Sequence, residues 1–323
     1  MTSLLLAAYA VVLVLVAGPR LARAGWVARA PGLGIFAWQM WCTALLSCTV
    51  LVGASSMLHW DRSHNVACRA WQVCLDALVG RHGPAAQIAA VCGAGLLVAL
   101  AVRLTLAGWR LTGAERRQRC RLRQLMRTAG QPLPEFGAVV VPAEQPAAYL
   151  LPGGDERDVV LTSAAVNHLT GEELHAIAAH ERAHATGRHY RLLRTVRLLD
   201  HAFPWAPCFA TAARQMHRLV ELRADDVAVR SHPPIVLARA LVALAEARAQ
   251  QSAAGRNRAW WGTEDPGAHL AAHGGDAAER LHRLLHRPRP MPATLTRATA
   301  GLFTLLPVAP VVFAVVERSP LAP

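Results

Sequence analysis

Four long apolar stretches alternate with arginine-rich polar segments along the chain. They cover residues 3–18, 32–57, 83–109 and 298–316, and the first, second and fourth contain no charged residue. A helix needs about 20 such residues to cross a bilayer, so each stretch predicts a transmembrane helix, with Pro307 and Pro310 bending the fourth. The first stretch could instead be a signal peptide, but no arginine or lysine precedes its apolar core.

The middle region has the mixed pattern of a folded domain. A basic helix is expected to end near Leu125, and Thr170 with Glu173 forms a capping-box pattern that starts a helix at Gly171. Two short β-branched runs, at residues 137–141 and 158–161, predict strands, and the stretch 147–152 leads into a Gly153-Gly154 turn. Helices are expected at residues 171–187, 207–229, 235–250 and 277–286, with a polar loop over 251–275.

The predicted fold is therefore a mainly α membrane protein. Residues 1–109 hold three transmembrane helices, residues 110–295 form an α+β domain, and residues 296–323 hold the fourth transmembrane helix and a short tail. In the middle domain, a small sheet is expected to pack near the helix that starts at Gly171.

Composition supports a lipid bilayer as a partner. Hydrophobic residues make up 53% of the chain, above the usage of ordinary globular proteins. The formal net charge is +13, and arginine carries all of the positive charge because the chain has no lysine. The arginines lie beside apolar runs, and no helix-turn-helix, zinc-finger or RNA-binding pattern accompanies them. We therefore expect no direct nucleic-acid binding.

The distribution of arginine predicts the orientation in a cell membrane. Three arginines and no acid lie in the first loop, at Arg20, Arg23 and Arg29, and seven more follow the third span between Arg110 and Arg127. Because cytoplasmic loops are enriched in arginine, the N-terminus is expected outside and the middle domain in the cytoplasm. The inverted topology stays open. Cys68 and Cys74 would then lie in one outer loop, either as a disulfide or as two free thiols.

The central motif is the pentapeptide HERAH. His180 and His184 are four residues apart, so on a helix they share one face and can reach one metal ion. Glu181 lies one residue along, where its carboxylate can accept a proton from a water molecule. This HExxH arrangement is typical of zinc-assisted hydrolysis.

A catalytic zinc ion requires a third protein ligand, and Glu221 is the preferred candidate. The longer spacing HExxHxxGxxH nearly fits, but its last position is Tyr190, and His189 falls one residue short. Asp225 lies four residues after Glu221 and can accept a hydrogen bond from a ligand histidine. The alternative for Glu221 is an ordinary acid on a helix surface.

HERAH followed by ELRAD, together with VLTS at 160–163 and LTGEEL at 169–174, resembles a known family. These are the gluzincin peptidases of the BlaR/MecR antibiotic-sensing type (M56-like) and, more distantly, the Ste24/HtpX-type membrane proteases (M48-like). The resemblance covers residues 130–230. It implies a zincin-like metalloprotease domain with one Zn²⁺ per chain on His180, His184 and Glu221, Glu181 as base, and Asp225 behind a ligand. It also implies a substrate-binding edge strand at 147–152.

The resemblance has one departure. The sensor proteases carry an extracellular penicillin-binding domain after their last span, whereas only residues 317–323 follow it here. Direct β-lactam sensing is therefore not expected. The predicted function is a zinc endopeptidase that cleaves protein substrates on the cytoplasmic side, such as a transcriptional repressor. Quality control of the HtpX type and a non-catalytic receptor that keeps the fold are the alternatives.

Other histidines offer further candidates. His217, one turn before Glu221, and His189 could stabilise a transition state, or each could be an ordinary polar residue. His269, His273, His282 and His286 are expected to face solvent. Trp260-Trp261 fits a membrane anchor, a lid or a plain packing pair.

Overall fold

The computed structural model describes residues 2–57, 84–151, 158–253 and 274–316. They form two compact units. The first comprises Met1–Trp109, Val196–Gln215 and Met291–Pro323, and the second comprises Arg110–Thr195 and Met216–Pro290. The predicted boundaries at 109 and 295 remain predictions, and residues 196–215 group with the first unit.

Helices dominate the described residues. In the first part of the chain they are α1 Thr2–Val12, a π-helical turn Leu13–Ala17, α2 Gly18–Ala22, α3 Trp26–Arg29, α4 Pro31–Met57 and α5 Pro84–Ala129. Further along they are α6 Ser163–His168, α7 Gly171–Thr186, α8 His189–Ala202, α9 Pro207–Ala228, α10 Pro234–Ala253, α11 Gly274–Leu285 and α12 Ala293–Val316.

Four helical stretches of the described residues are long and apolar enough to cross a membrane, as the sequence predicted. They are Ser3–Ala22, Pro31–Ser56, Ile88–Ala129 and Ala293–Val315. In the first unit, α4 packs against both α1 and α12. The Tyr9 hydroxyl donates a hydrogen bond to the Leu306 carbonyl at 3.0 Å, which ties α1 to α12.

The third apolar stretch and the basic segment after it form one helix, α5, of 46 residues. The sequence predicted two neighbouring helical segments here. No proline and no run of turn residues separates them, so the helix continues.

A four-stranded sheet lies in the second unit. Its strands are β1 Gln131–Leu133, β2 Ala138–Val141, β3 Ala148–Leu150 and β4 Val159–Thr162, in the order β1-β2-β4-β3. β2 and β4 are parallel, and the two outer strands run antiparallel to their neighbours. The predicted strands at 137–141 and 158–161 correspond to β2 and β4. The short strand β1 was not predicted, because Pro132 lowers its β signal and is tolerated at an edge.

Both faces of the sheet are buried. Val159 and Leu161 of β4 belong to a core cluster with Ile177 of α7 and Leu237 of α10. Val160, between them in sequence, faces a second cluster on the opposite side. Because side chains alternate along a strand, the central strand β4 carries apolar residues on both faces.

A glycine fixes the approach of α7 to the sheet. Gly137 follows the 3-10 turn Pro134–Phe136 with φ 55°, a conformation that glycine adopts without steric cost. The Arg182 guanidinium donates a hydrogen bond to the Phe136 carbonyl. A Cβ at Gly137 would lie 2.9 Å from Arg182 Nη2, so a side chain at this position would displace the Arg182 guanidinium.

Several sequence predictions concern residues outside the described ranges. They include the Gly153-Gly154 turn, the Cys68 and Cys74 pair, Trp260-Trp261, and the histidines His269 and His273.

Candidate metal centre

Helix α7 presents His180 and His184 on one face. Its start is fixed as predicted: the Glu173 backbone N–H donates to Thr170 Oγ1 at 3.4 Å, and the Thr170 N–H donates to Glu173 Oε2 at 2.9 Å. His180 and Glu181 are buried, with 4% and 8% of their surface exposed. The i, i+4 spacing brings the two imidazole Nε2 atoms of His180 and His184 within 3.2 Å of each other.

Helix α9 brings Glu221 to these imidazoles. Glu221 is 8% exposed, unlike a helix-surface acid. Its Oε2 lies 3.4 Å from His180 Nε2, and its Oε1 lies 3.4 Å from His184 Nε2. These three side chains therefore form a cluster in which His180 and Glu221 are buried and His184 is half-buried, and each offers one ligand atom.

Asp225 lies one turn further along α9, behind His180. Its Oδ1 is 2.9 Å from His180 Nδ1, at an angle that departs from a straight hydrogen bond. The carboxylate is 1% exposed. It thus contacts the imidazole nitrogen that faces away from Glu221, the position from which a carboxylate orients a ligand histidine.

Helix α11 contributes a residue that sequence reasoning missed. Arg280 donates two hydrogen bonds of 2.8 Å to the two oxygens of Asp225, and its Nη1 lies 3.0 Å from Glu221 Oε2. The position of Arg280 in the sequence does not distinguish it from the other arginines. Its partners Asp225 and Glu221 lie more than fifty positions earlier in the chain.

A comparison with protein families shows which family the chain that carries this cluster belongs to. A model of peptidase family M48 matches residues 113–288, more than half of the chain and the whole of the cluster. The chain belongs to peptidase family M48. No curated protein and no solved structure matches it. The predicted relation to M48-like metallopeptidases is confirmed, whereas the closer relation to the BlaR/MecR type stays a prediction.

Members of family M48 are metal-dependent, and the cluster of this M48 peptidase fits a metal ion. A tetrahedral ion bound at about 2.0–2.1 Å separates its ligand atoms by about 3.4 Å. The three separations between His180, His184 and Glu221 are 3.2, 3.4 and 3.4 Å. Glu221 Oε2 is also buried without a hydrogen-bond donor of good geometry among the described residues, as expected for a ligand atom.

The electrostatics of the M48 cluster favour a cation. Burial alone would lower the pKa of His180, but its contacts with Asp225 and Glu221 outweigh burial and raise this pKa to about 9. Burial lowers the pKa of His184 to about 4. Burial opposes ionisation of Asp225, yet Arg280 and His180 hold its pKa at about 2. Likewise, the pKa of Glu221 lies well below its usual value, because His184 and Arg280 outweigh the effect of burial.

Glu181 is linked to the sheet. The backbone N–H of Leu150, in the outer strand β3, hydrogen-bonds to the Glu181 carboxyl. Burial nevertheless raises the pKa of Glu181 above its ordinary value, with opposing effects from His180 and Arg280. The M48 peptidase therefore keeps this carboxyl beside the cluster, in contact with the edge of the sheet.

His189 contacts the Nδ1 atom of His184, the ring nitrogen that does not approach Glu221. Its Nδ1 lies 3.1 Å from His184 Nδ1, and it is 3% exposed. Tyr190, the last position of the longer spacing HExxHxxGxxH, instead hydrogen-bonds to Glu115 on α5.

His217 is half-buried one turn before Glu221, and its role in transition-state stabilisation stays a prediction. His282 and His286 stack on each other at a centroid distance of 4.7 Å.

Proposed function

We propose that this M48 metallopeptidase is a zinc-dependent membrane endopeptidase, with His180, His184 and Glu221 as ligands and Glu181 as the general base. One observation carries the proposal. Two imidazoles and a carboxylate converge at tetrahedral spacing, and the next residue of the same helix is a buried carboxyl held at the edge of the sheet.

The chemistry follows from the donor set. Zinc would act as a Lewis acid that lowers the pKa of water and polarises the scissile carbonyl. Glu181 accepts a proton from the attacking water and delivers it to the leaving amine. The peptide C–N bond then breaks, and a carboxyl and an amine are released. A raised carboxyl pKa suits this role, because a base works best with a pKa near the working pH.

Asp225 and Arg280 position the ligands in this proposal. Asp225 contacts His180 Nδ1 and thereby holds the ring so that Nε2 faces Glu221. Arg280 neutralises Asp225 and contacts Glu221, so two buried carboxylates share one guanidinium. His189 holds His184 from its second nitrogen.

The substrate would bind as an extended peptide along β3. Among the described strands, β3 pairs only with β4, so no described strand pairs with its other edge, where a peptide could add as a further strand. Leu150 of this strand contacts Glu181, so a peptide paired with β3 would pass beside the base. This geometry favours unfolded or flexible protein segments as substrates.

The biological role has two forms. The predicted order of spans and protease domain supports a regulatory protease that cleaves a repressor in the cytoplasm. Membership of family M48 supports instead a quality-control protease of the HtpX type. A gene for a winged-helix repressor beside that of this chain would favour the regulatory form.

The proposal is tested with detergent-purified full-length protein, wild type beside Glu181→Gln, with zinc content and casein cleavage measured in both. We expect both proteins to bind about one zinc ion and only the wild type to cleave. A wild type without zinc would refute the ligand assignment. Equal cleavage by the Glu181→Gln protein would remove Glu181 as base. Zinc binding without cleavage in both would leave two readings, an enzyme that requires an activating signal and a non-catalytic receptor.

A further inference from the structure

The first unit contains a large apolar cavity that the proposed peptidase chemistry does not use. Its volume is about 870 Å³, within the roughly 300–1,000 Å³ of small-molecule pockets. Its walls come from the π-helical turn Leu13–Ala17 and α2, from α4 and α5, and from the segment that joins α8 to α9 with the start of α9. Representative lining residues are Leu15, Trp41, Leu45, Ala99 and Phe209.

Aromatic contacts hold these walls in place. The ring of Trp41 lies 5.5 Å from that of Trp38 and 6.2 Å from that of Phe209. Trp41 Nε1 donates a hydrogen bond of 2.9 Å to the Leu13 carbonyl, in the π-helical turn that lines the cavity. Such turns are frequent at functional sites. A Cβ on Gly18 would lie 3.4 Å from the Trp41 ring, so this small residue leaves room for the ring.

Two arginines give the cavity a positive charge. Among the described residues that line it, Arg23 and Arg103 carry a charge, and none is an aspartate or a glutamate. Both side chains are exposed. Arg103 lies in a stretch of helix that is otherwise apolar from Ile88 to Trp109. Arg103 Nη1 donates a long hydrogen bond of 3.4 Å to the Ala202 carbonyl, which satisfies one of the five N–H donors of its guanidinium. A charge within a membrane-spanning segment is costly without an opposite charge, so the other donors suit an anion.

The shape and the charge together describe an amphipathic anion. An apolar tail would fill the space between Leu15, Leu45 and Phe209, while an anionic group would pair with Arg23 and Arg103. Phosphate accepts paired hydrogen bonds from guanidinium groups. Trp205, which is 70% exposed, lines the same cavity and is the residue type enriched at the level of lipid headgroups.

We propose that this cavity binds an anionic phospholipid, with an acyl chain between the aromatic walls and the phosphate on Arg23 and Arg103. The membrane around the four apolar helices supplies this ligand. An apolar segment of another protein could also fill the cavity, but it would offer no anion to Arg23 and Arg103. The proposal does not depend on the metal centre.

The test measures lipid retained by the full-length protein. Delipidated protein in detergent is incubated with phosphatidylglycerol or with phosphatidylcholine of the same acyl chains, and bound lipid is counted by mass spectrometry after size exclusion. We expect about one phosphatidylglycerol per chain, retained at least tenfold better than phosphatidylcholine. Equal retention of the two lipids would overturn the role of the arginines.

Two variants separate the headgroup from the tail. Arg23→Gln with Arg103→Gln should abolish the preference for phosphatidylglycerol, whereas the matched pair Arg20→Gln with Arg29→Gln, exposed arginines outside the cavity, should keep it. Ala99→Trp should place a large ring where the acyl chain would lie and reduce retention of phosphatidylglycerol at least tenfold. Unchanged retention in Ala99→Trp, or in the Arg23 and Arg103 variant, would refute this site. Unchanged thermal unfolding in detergent establishes that each variant is folded.

Discussion

Arg280 donates two hydrogen bonds of 2.8 Å each to the carboxylate of Asp225. Only 12% of the Arg280 side chain and 2% of the Asp225 side chain are exposed. Such a paired geometry is among the stronger ionic contacts in proteins, and removal of one partner leaves a buried charge without compensation. Since Asp225 in turn contacts His180, this pair bears on the metal centre.

Arg280→Gln should weaken zinc binding by about 10- to 100-fold, the usual effect of losing a group that orients a ligand. Zinc affinity of the purified protein, measured by competition with a chelating dye, checks this prediction. Arg283→Gln is the matched control. Arg283 lies on the same helix and pairs with Asp226 at 2.7 Å, a residue outside the cluster. Equal zinc affinity in the two variants would contradict a positioning role for Arg280.

A methyl group at Gly187 should disturb the metal centre. A Cβ there would lie inside van der Waals contact with the His189 ring and 3.0 Å from the Ala183 carbonyl. His189 would have to move away from His184, so Gly187→Ala should lower zinc affinity about tenfold. Gly171→Ala, at the start of the same helix, meets nothing within 4 Å and should leave zinc affinity unchanged. An unchanged zinc affinity in the Gly187→Ala variant would show that His189 has no influence on His184.

Zinc binding should release a proton. The pKa of His180 is raised to about 9 and that of His184 is lowered to about 4, so of these two ligand imidazoles only His180 carries an extra proton at pH 7 in the metal-free protein. A ligand imidazole must be neutral, so binding should release about one proton. Zinc affinity should therefore rise about tenfold per pH unit between pH 6 and 8. Calorimetric titration in two buffers with different ionisation enthalpies counts the protons. No release at pH 7 would contradict a protonated His180.

Substrate pairing with β3 predicts a selective defect. The backbone N–H groups of a strand alternate between its two edges. Leu151 N–H bonds to Asp158 beside β4, and Leu150 N–H turns to Glu181. Ala148 is two residues before Leu150 and directs its N–H to the same outer edge. Ala148→Pro removes this donor and should raise the KM for casein about tenfold with little change in kcat or zinc content.

Ala148→Gly is the control for that substitution. It keeps the backbone N–H while removing the methyl group, so its KM should stay within about twofold of the wild-type value. A similar rise in KM for both variants would assign the defect to a general disturbance of the strand and not to the lost donor.

Sequence reasoning succeeded where the signal is local. The capping box at Thr170 located the start of α7, and the apolar stretches located the four candidate spans. It failed where the structure depends on distant contacts. Strand β1 contains a proline and is held by pairing with β2. Arg280 differs from the exposed arginines only in its tertiary neighbours, which the spacing of residues along the chain does not reveal.

Helix α9 belongs to both units, with its residues up to Gln215 in the first and those from Met216 onward in the second. A water-soluble fragment made by removing the first unit would therefore lose the opening turns of the helix that supplies Glu221. Residues 110–290 cannot be trimmed to the second unit without cutting α8 and α9. A fragment for expression or inhibitor screening should therefore keep α8 and α9 whole.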